Sequence, residues 1–157
     1  MIRPATEDDI PAIHRLWNHA IRDTLITFNS TEKTLDEVAE ALRGFDACFV
    51  ATRNGEVVGY VAYGAFRSGA GYAHTKEHSI ILAPDARGAG LGRALIRALE
   101  DHARAAGVHS LIAGISGSNP MGEPFHTALG FVKVGGIPEA GHKFGAWHDL
   151  VLMQKML

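Results

Sequence analysis

Apolar residues return every three or four positions through Ile10, Ile13, Leu16, Trp17 and Ile21, the spacing of one helix face. Thr6 or Asp8 stands where a cap for that helix is expected. A second helical period runs from Gly90 to Ala106. There Leu91, Leu95, Leu99, His102 and Ala106 fall in line, Ile96 and Ala103 lie beside them, and Gly107 is a natural stop. Elsewhere the pattern is that of strands, at Ile2 to Ala5, Phe49 to Arg53, Val57 to Phe66, Thr75 to Leu82, Leu111 to Ile115, Phe131 to Val134 and Trp147 to Lys155. Asn54-Gly55 predicts a tight hairpin turn, because both residues tolerate a positive φ. Shorter helices are predicted from Thr34 to Arg43, ended by Gly44, and from Pro120 to Leu129, capped by Asn119 and ended by Gly130. The glycine-rich stretch from Arg67 to Tyr72 reads as a loop.

Hairpins at both ends around a strand–helix–strand unit predict an α/β (α+β) layered domain on a mixed sheet. No repeat, linker or low-complexity tract divides the 157 residues, so one domain over 1–157 is expected. Composition adds mainly exclusions. With 46% hydrophobic and 20% charged residues, the chain is globular rather than disordered. A net charge of -2 argues against a general nucleic-acid or membrane surface. The apolar runs are too short to span a bilayer, and the acidic, proline-broken opening does not read as a signal peptide. The single cysteine, Cys48, excludes an internal disulfide and fits a reducing compartment, so a cytoplasmic location is expected.

The segment that carries chemistry follows the Thr75 to Leu82 strand: Arg87, Gly88, Ala89, Gly90, Leu91, Gly92 and Arg93. A glycine-rich turn opening a long helix lets backbone N–H groups face outward with no Cβ in the way. The helix N-terminus adds about half a positive charge, and Arg87 and Arg93 add full ones. Such a loop suits phosphate or pyrophosphate. Gly92 is followed by arginine and alanine, so the P-loop ending is missing. The third glycine and the downstream acid of a dinucleotide fingerprint are also missing. A turn with structural duties alone is the remaining alternative.

Arg87 to Gly92 resembles the R/Q-x-x-G-x-G/A signature of the GNAT superfamily of N-acetyltransferases, with the strand before it and the helix after it in the family's order. That resemblance implies the GNAT fold, a mostly antiparallel mixed sheet with helices on both faces. It also implies that the loop grips the pyrophosphate of acetyl-coenzyme A, with the backbone of Ile80, Ile81 and Leu82 on the pantetheine arm and Asn119 also at the cofactor. Three further stretches, Trp17 to Ala20, Thr75 to Ser79 and Lys143 to Asp149, are similar to the phosphinothricin and methionine sulfone or sulfoximine acetyltransferase subgroup. The subgroup's acceptors are small free amino acids, and its members imply a homodimer.

Amine acetylation needs a neutral nucleophile, and a carboxylate beside the amine can take its proton. Glu77, on the strand leading to the cofactor, suits that role; the alternative is an exposed strand carboxylate. His126 stands where many GNAT enzymes carry a tyrosine that protonates the departing thiolate, and the phosphinothricin-like pattern has histidine there. It could equally be a packed helix histidine. Arg67 matches an arginine of the subgroup, and a guanidinium is a natural fork for an α-carboxylate, although a plain surface arginine is the alternative. Phe28, Glu77 and His78 complete the expected acceptor site, and Phe66 is a further candidate wall. Among nine histidines, neither His74 with His78 nor His142 with His148 has ligand spacing with suitable partners, so no metal is expected.

The expected activity is acetyl transfer from acetyl-coenzyme A to the α-amine of a small amino acid or analogue, by direct attack in a ternary complex. Strand N–H groups near Ile81 would polarise the thioester carbonyl. The alternatives are a GNAT acting on a polyamine, aminoglycoside or protein N-terminus, and a non-catalytic acetyl-coenzyme A sensor. Phe28 (where relatives often have tryptophan), Ser68-Gly69 and the run from Asn119 to Phe125 depart from the subgroup and leave acceptor choice open.

Overall fold

A computed structural model describes residues 1–157. Its strands are β1 (Ile2–Pro4), β2 (Ala47–Arg53), β3 (Glu56–Ala65), β4 (Thr75–Leu82), β5 (Ser110–Ser116), β6 (Val132–Lys143) and β7 (Ala146–Met156). The helices are α1 (Ile10–Asp23), α2 (Leu35–Gly44), α3 (Leu91–Ala105) and α4 (Gly122–Ala128). All strands join one sheet in the order β1-β2-β3-β4-β5-β7-β6. Every neighbouring pair is antiparallel except β4 and β5, which α3 connects as a crossover. The layered α/β architecture read from the sequence is the one observed.

Alternation along the strands divides the interior in two. On one face Val61, Tyr63, Leu111, Ala113 and Ile115 pack under Leu95, Ile96 and Leu99 of α3. On the other, Val50, Tyr60 and Ile81 meet Ile13, Leu16 and Ala20 of α1 and Val38 of α2. Successive side chains of β3 thus serve opposite layers, as a strand buried on both faces requires. No helix is long and apolar enough to cross a membrane.

The feature that positions the site is where pairing stops. β4 and β5 are in register only from Thr75 opposite Ser110 to His78 opposite Ala113. Beyond those residues β4 continues to Leu82 and β5 to Ser116 without pairing each other. A wedge therefore opens in the middle of the sheet, above the start of α3.

Three elements differ from expectation. α4 starts at Gly122 rather than Pro120, because the residues before it form turns in which Asn119 N–H donates to Ser116 O and Gly122 N–H to Asn119 O. Asn119 does not cap α4, whose N-cap is Met121; its Oδ1 accepts from Met121 N–H at 3.3 Å and closes the turn before the helix. The closing strand β6 runs far past Val134 to Lys143, through Pro138. An edge strand tolerates that missing N–H, and its register slips between Ile137 and Gly141. At the N-terminus, Thr6 begins a short 3-10 turn over Glu7–Asp9, and α1 follows from it.

Candidate active site

The glycine loop has the geometry its composition suggests. Gly88 and Gly90 hold φ values of 80° and 79°, and Gly90 stands at the N-cap of α3. A Cβ at either would meet no protein atom within 4 Å, so the loop's outer surface is open. None of the N–H groups from Arg87 to Arg93 donates to a protein acceptor. They form a run of free donors at the positive end of a helix. Arg87 and Arg93 face the same cavity, and neither is in an ion pair. Gly92 serves packing instead, since a Cβ there would lie 3.0 Å from the Phe125 ring. Ala89 is exposed and the Leu91 side chain packs on the α3 core; neither lines the cavity.

Next to the loop lies the wedge. Ala83 N–H donates to Val58 O of β3. By the two-residue alternation of an antiparallel pair, the N–H of Ile81 also points to β3. Those of Ile80 and Leu82 point toward β5, where pairing has ended. The free strand donors are thus on either side of Ile81 rather than on it.

Loop and wedge open into one cavity of about 1100 Å³ that continues to the opposite face of the sheet. Asn119, Gly122 and Phe125 line its α4 side, while Trp17, Phe28, Phe45 and Tyr60 line the far end. Glu77 lies between. Its carboxylate makes no hydrogen bond and no ion pair, and it fills the space a side chain on Gly114 of β5 would need: a Cβ there would be 3.1 Å from Oε2. Partial burial raises its pKa above the ordinary carboxylate range. A carboxylate in this state is a stronger base than usual and has free lone pairs.

His126 and His78 meet across the sheet's other face, Nε2 to Nε2 at 3.0 Å. His126 Nδ1 must donate to Gly122 O at 2.8 Å, since a carbonyl only accepts. Its Nε2 is then an acceptor when neutral, and His78 supplies the proton between the rings. His78 Nδ1 is left buried without a partner. Burial lowers the pKa of both histidines, for His78 with the neighbouring His126 adding to the effect and for His126 against the Gly122 carbonyl. Both rings line the cavity. In this arrangement both nitrogens of His126 are engaged, so it reaches a substrate only by giving up one of these bonds.

Phe28 lines the far end, its ring stacked on His148 at 5.9 Å and occupying the space over Gly141. Phe66 does not line the cavity and packs on Tyr72 instead. Arg67 is exposed outside the lining, two residues past Ala65, which belongs to it. Its guanidinium lies 5.9 Å from the Phe66 ring centre. No group of three His, Cys, Asp or Glu side chains is gathered for a metal ion. Sequence reading passed over Gly114, although a glycine inside a strand often marks a close approach. It also passed over Phe45 and Tyr60, whose apolar positions carry no chemical signal, and the pairing of His78 with His126.

Anion-binding N–H groups, a wedge with free strand donors and a poised carboxylate in one cavity suit transfer of an acyl group from a phosphorylated carrier to a nucleophile. The chain matches the acetyltransferase (GNAT) family over residues 13–131. It is 40% identical to the L-amino acid N-acyltransferase MnaT of Escherichia coli, over 99% of this chain and 93% of that one. It is 38% identical to the L-methionine sulfoximine/L-methionine sulfone acetyltransferase of Pseudomonas paraeruginosa, over 98% and 92%. Among solved structures, a Brucella melitensis protein described as ribosomal-protein-alanine N-acetyltransferase superimposes with a TM-score of 0.95 at 42% identity, covering 100% and 99%. A phosphinothricin acetyltransferase from Sinorhizobium meliloti, in complex with acetyl-coenzyme A, gives 0.96 at 32% identity, covering 100% and 88%. On motif, fold and full-length similarity, this chain belongs to the GNAT family of acetyl-coenzyme A-dependent N-acetyltransferases.

Proposed function

We propose that the chain acetylates the α-amine of a small free amino acid or analogue, of the methionine sulfone, methionine sulfoximine or phosphinothricin type. Acetyl-coenzyme A is the donor, and the residues present fit it. The free N–H groups from Arg87 to Arg93, with Arg87 and Arg93 themselves, suit its pyrophosphate. The Ile80 and Leu82 backbone suits an extended amide-bearing arm, and Asn119 adds a polar group on the α4 side. Beyond Glu77 the cavity runs between Trp17, Phe28, Phe45 and Tyr60, an aromatic lining that suits a free amino acid.

In the proposed reaction Glu77 takes a proton from the substrate ammonium, directly or through water. The amine attacks the thioester carbonyl, the carbon–nitrogen bond forms, and the carbon–sulfur bond breaks. The thiolate leaves with the electron pair and is protonated; the proposed carrier is His126, whose Nε2, released from His78, takes the second proton of the attacking nitrogen and passes it to sulfur. The observation that carries this reading is the unpartnered Glu77 carboxylate between the two ends of the cavity. No cation lines the acceptor end. Arg67 is our candidate for the acceptor's carboxylate, its exposed side chain turning inward when substrate binds.

The test is thiol release from acetyl-coenzyme A with methionine sulfone, methionine sulfoximine, phosphinothricin, the common amino acids, polyamines and an alanyl peptide. The reading expects the highest kcat/KM among the free amino acids and analogues. Higher kcat/KM on the peptide or polyamines would overturn it, and the absence of thiol release with every amine would leave only the sensor. We further propose a homodimer, supported by exposed Val132, Val134, Ile137, Phe144 and Trp147 on β6, β7 and their turn. Sedimentation at micromolar concentration tests it. A cytoplasmic location is proposed from the use of acetyl-coenzyme A and the lone free thiol of Cys48.

A further inference from the structure

Lys143 is a buried lysine with no carboxylate beside it. It is 2% exposed, and its Nζ donates to three backbone carbonyls, of Ala20 at 3.4 Å, Thr24 at 2.6 Å and Thr27 at 2.8 Å. The first two belong to the C-terminal end of α1, whose partial negative charge suits a cation. Burial lowers the pKa of the ammonium, and two short donations and one long one to carbonyls compensate for lost water.

The segment it holds is otherwise tied near its far end, by the Arg22–Glu32 pair at 3.1 Å and by Asn18, which exchanges two hydrogen bonds with the Lys33 main chain. Residues 25–32 make no backbone–backbone hydrogen bond. Internal contacts are limited to small turns, Ile26 N–H to Thr24 Oγ1 and Asn29 N–H to Thr27 Oγ1. Yet Ile26 to Asn29 form the wall of the acceptor end of the cavity. The main chain of Lys143 also accepts from His148 Nε2–H at 2.9 Å, and His148 is the ring on which Phe28 stacks. One residue of the β6–β7 hairpin thus fixes the wall from two sides.

We propose that Lys143 is a positioning residue that sets the acceptor pocket: it pins the loop after α1 so that Phe28 stands against the amine substrate. The proposal rests on the acceptor occupying that end of the cavity. Glu77, the glycine loop and the wedge lie on other elements. Loss of Lys143 therefore acts on acceptor binding and leaves the cofactor half alone.

The experiment is Lys143→Met, with Lys143→Arg as the conservative variant. In Lys143→Met, KM for the best amine should rise tenfold or more while KM for acetyl-coenzyme A stays within twofold; Lys143→Arg should recover at least half of the loss on a logarithmic scale. Amide hydrogen exchange of residues 25–32 should accelerate tenfold or more in the methionine variant. If that variant does not fold, Gly141→Ala is the second route. A Cβ there lies 2.5 Å from the Phe28 ring, so it dislodges the wall from the far side and should give the same split. An unchanged amine KM in a folded variant, or both KM values rising together, overturns the proposal, as does unaltered exchange. If wild type acetylates no amine, the functional reading fails instead, and the exchange measurement alone decides whether Lys143 holds the loop.

Discussion

Gly114→Ala tests whether the position of the Glu77 carboxylate matters to the reaction. The added Cβ would sit 3.1 Å from Glu77 Oε2, about 0.3 Å inside the 3.4 Å at which ordinary contact begins, and 3.6 Å from Leu150 Cδ1, which needs no adjustment. Gly114 does not have a positive φ, so alanine fits the strand backbone without strain. The methyl group therefore displaces the carboxylate and leaves the fold alone. A misplacement of about 1 Å in a reacting group costs roughly a hundredfold, so a shift of about 0.3 Å should cost about fourfold in kcat/KM if the logarithm scales with distance. The assay is thiol release in four proteins: wild type, Gly114→Ala, Glu77→Gln and the double variant. The methyl group should matter only when the carboxylate is present, so Gly114→Ala should cost nothing further in the Glu77→Gln background. An equal loss in both backgrounds would show that Gly114 acts on the cavity and that its neighbour's position is irrelevant.

Glu77→Gln itself should lower kcat/KM by roughly a hundredfold or more and remove the acidic limb of the pH profile. That limb in wild type should lie above the ordinary carboxylate range, because burial raises the Glu77 pKa and the base must be ionised to act; an unchanged limb would place the base elsewhere. Gly90→Val puts a β-branched residue at a φ of 79°, against the approach of phosphate, and KM for acetyl-coenzyme A should rise roughly tenfold or more; unchanged coenzyme A affinity in the folded variant would refute the loop assignment. Arg67→Ala should abolish the preference for an amino acid over its carboxamide, a loss of about 2 kcal/mol or roughly thirtyfold on the acid; a surviving preference assigns the carboxylate to another residue. His78 and His126 have depressed pKa values when folded, so below about pH 6.5 the unfolded chain binds more protons and stability must fall. Melting temperature should be flat from pH 8 to 7 and decline from pH 6.5 to 5, and a flat profile throughout would mean that these rings stay solvated.

Much of the fold was legible because strand alternation, helix period and glycine stops agreed with one another. The failures fell where tertiary contact overrides local signals. Pro120 is a good first helical residue, yet α4 starts at Gly122, the only kind of residue that lets the helix approach Ile115 so closely, a Cβ there lying 2.5 Å from Ile115 Cγ2. Pro138 and the glycines around it hid the length of β6, whose edge position permits them. At the site, the glycine loop could be read because its chemistry lies in consecutive residues. Glu77 could be read because its strand leads to that loop. The engagement of both nitrogens of His126 could not, since it depends on a side chain 48 positions away and on the carbonyl of Gly122. Nor could Lys143, whose three acceptors are backbone atoms more than a hundred residues distant.

The parting of β4 from β5 leaves the sheet with an internal seam, two strand edges facing each other with nothing shared beyond His78 and Ala113. Exposed strand edges are liabilities because any extended chain can pair with them. Here the edges are turned toward one another inside the molecule, where a second polypeptide cannot enter but a single slender arm can. On the function proposed above, the arm of acetyl-coenzyme A is the missing rung of that ladder, and the protein's most vulnerable pairing surface is shielded by being turned inward. On that proposal, selection for a closed, better-bonded sheet is selection against catalysis, and the unfinished sheet is the condition of activity.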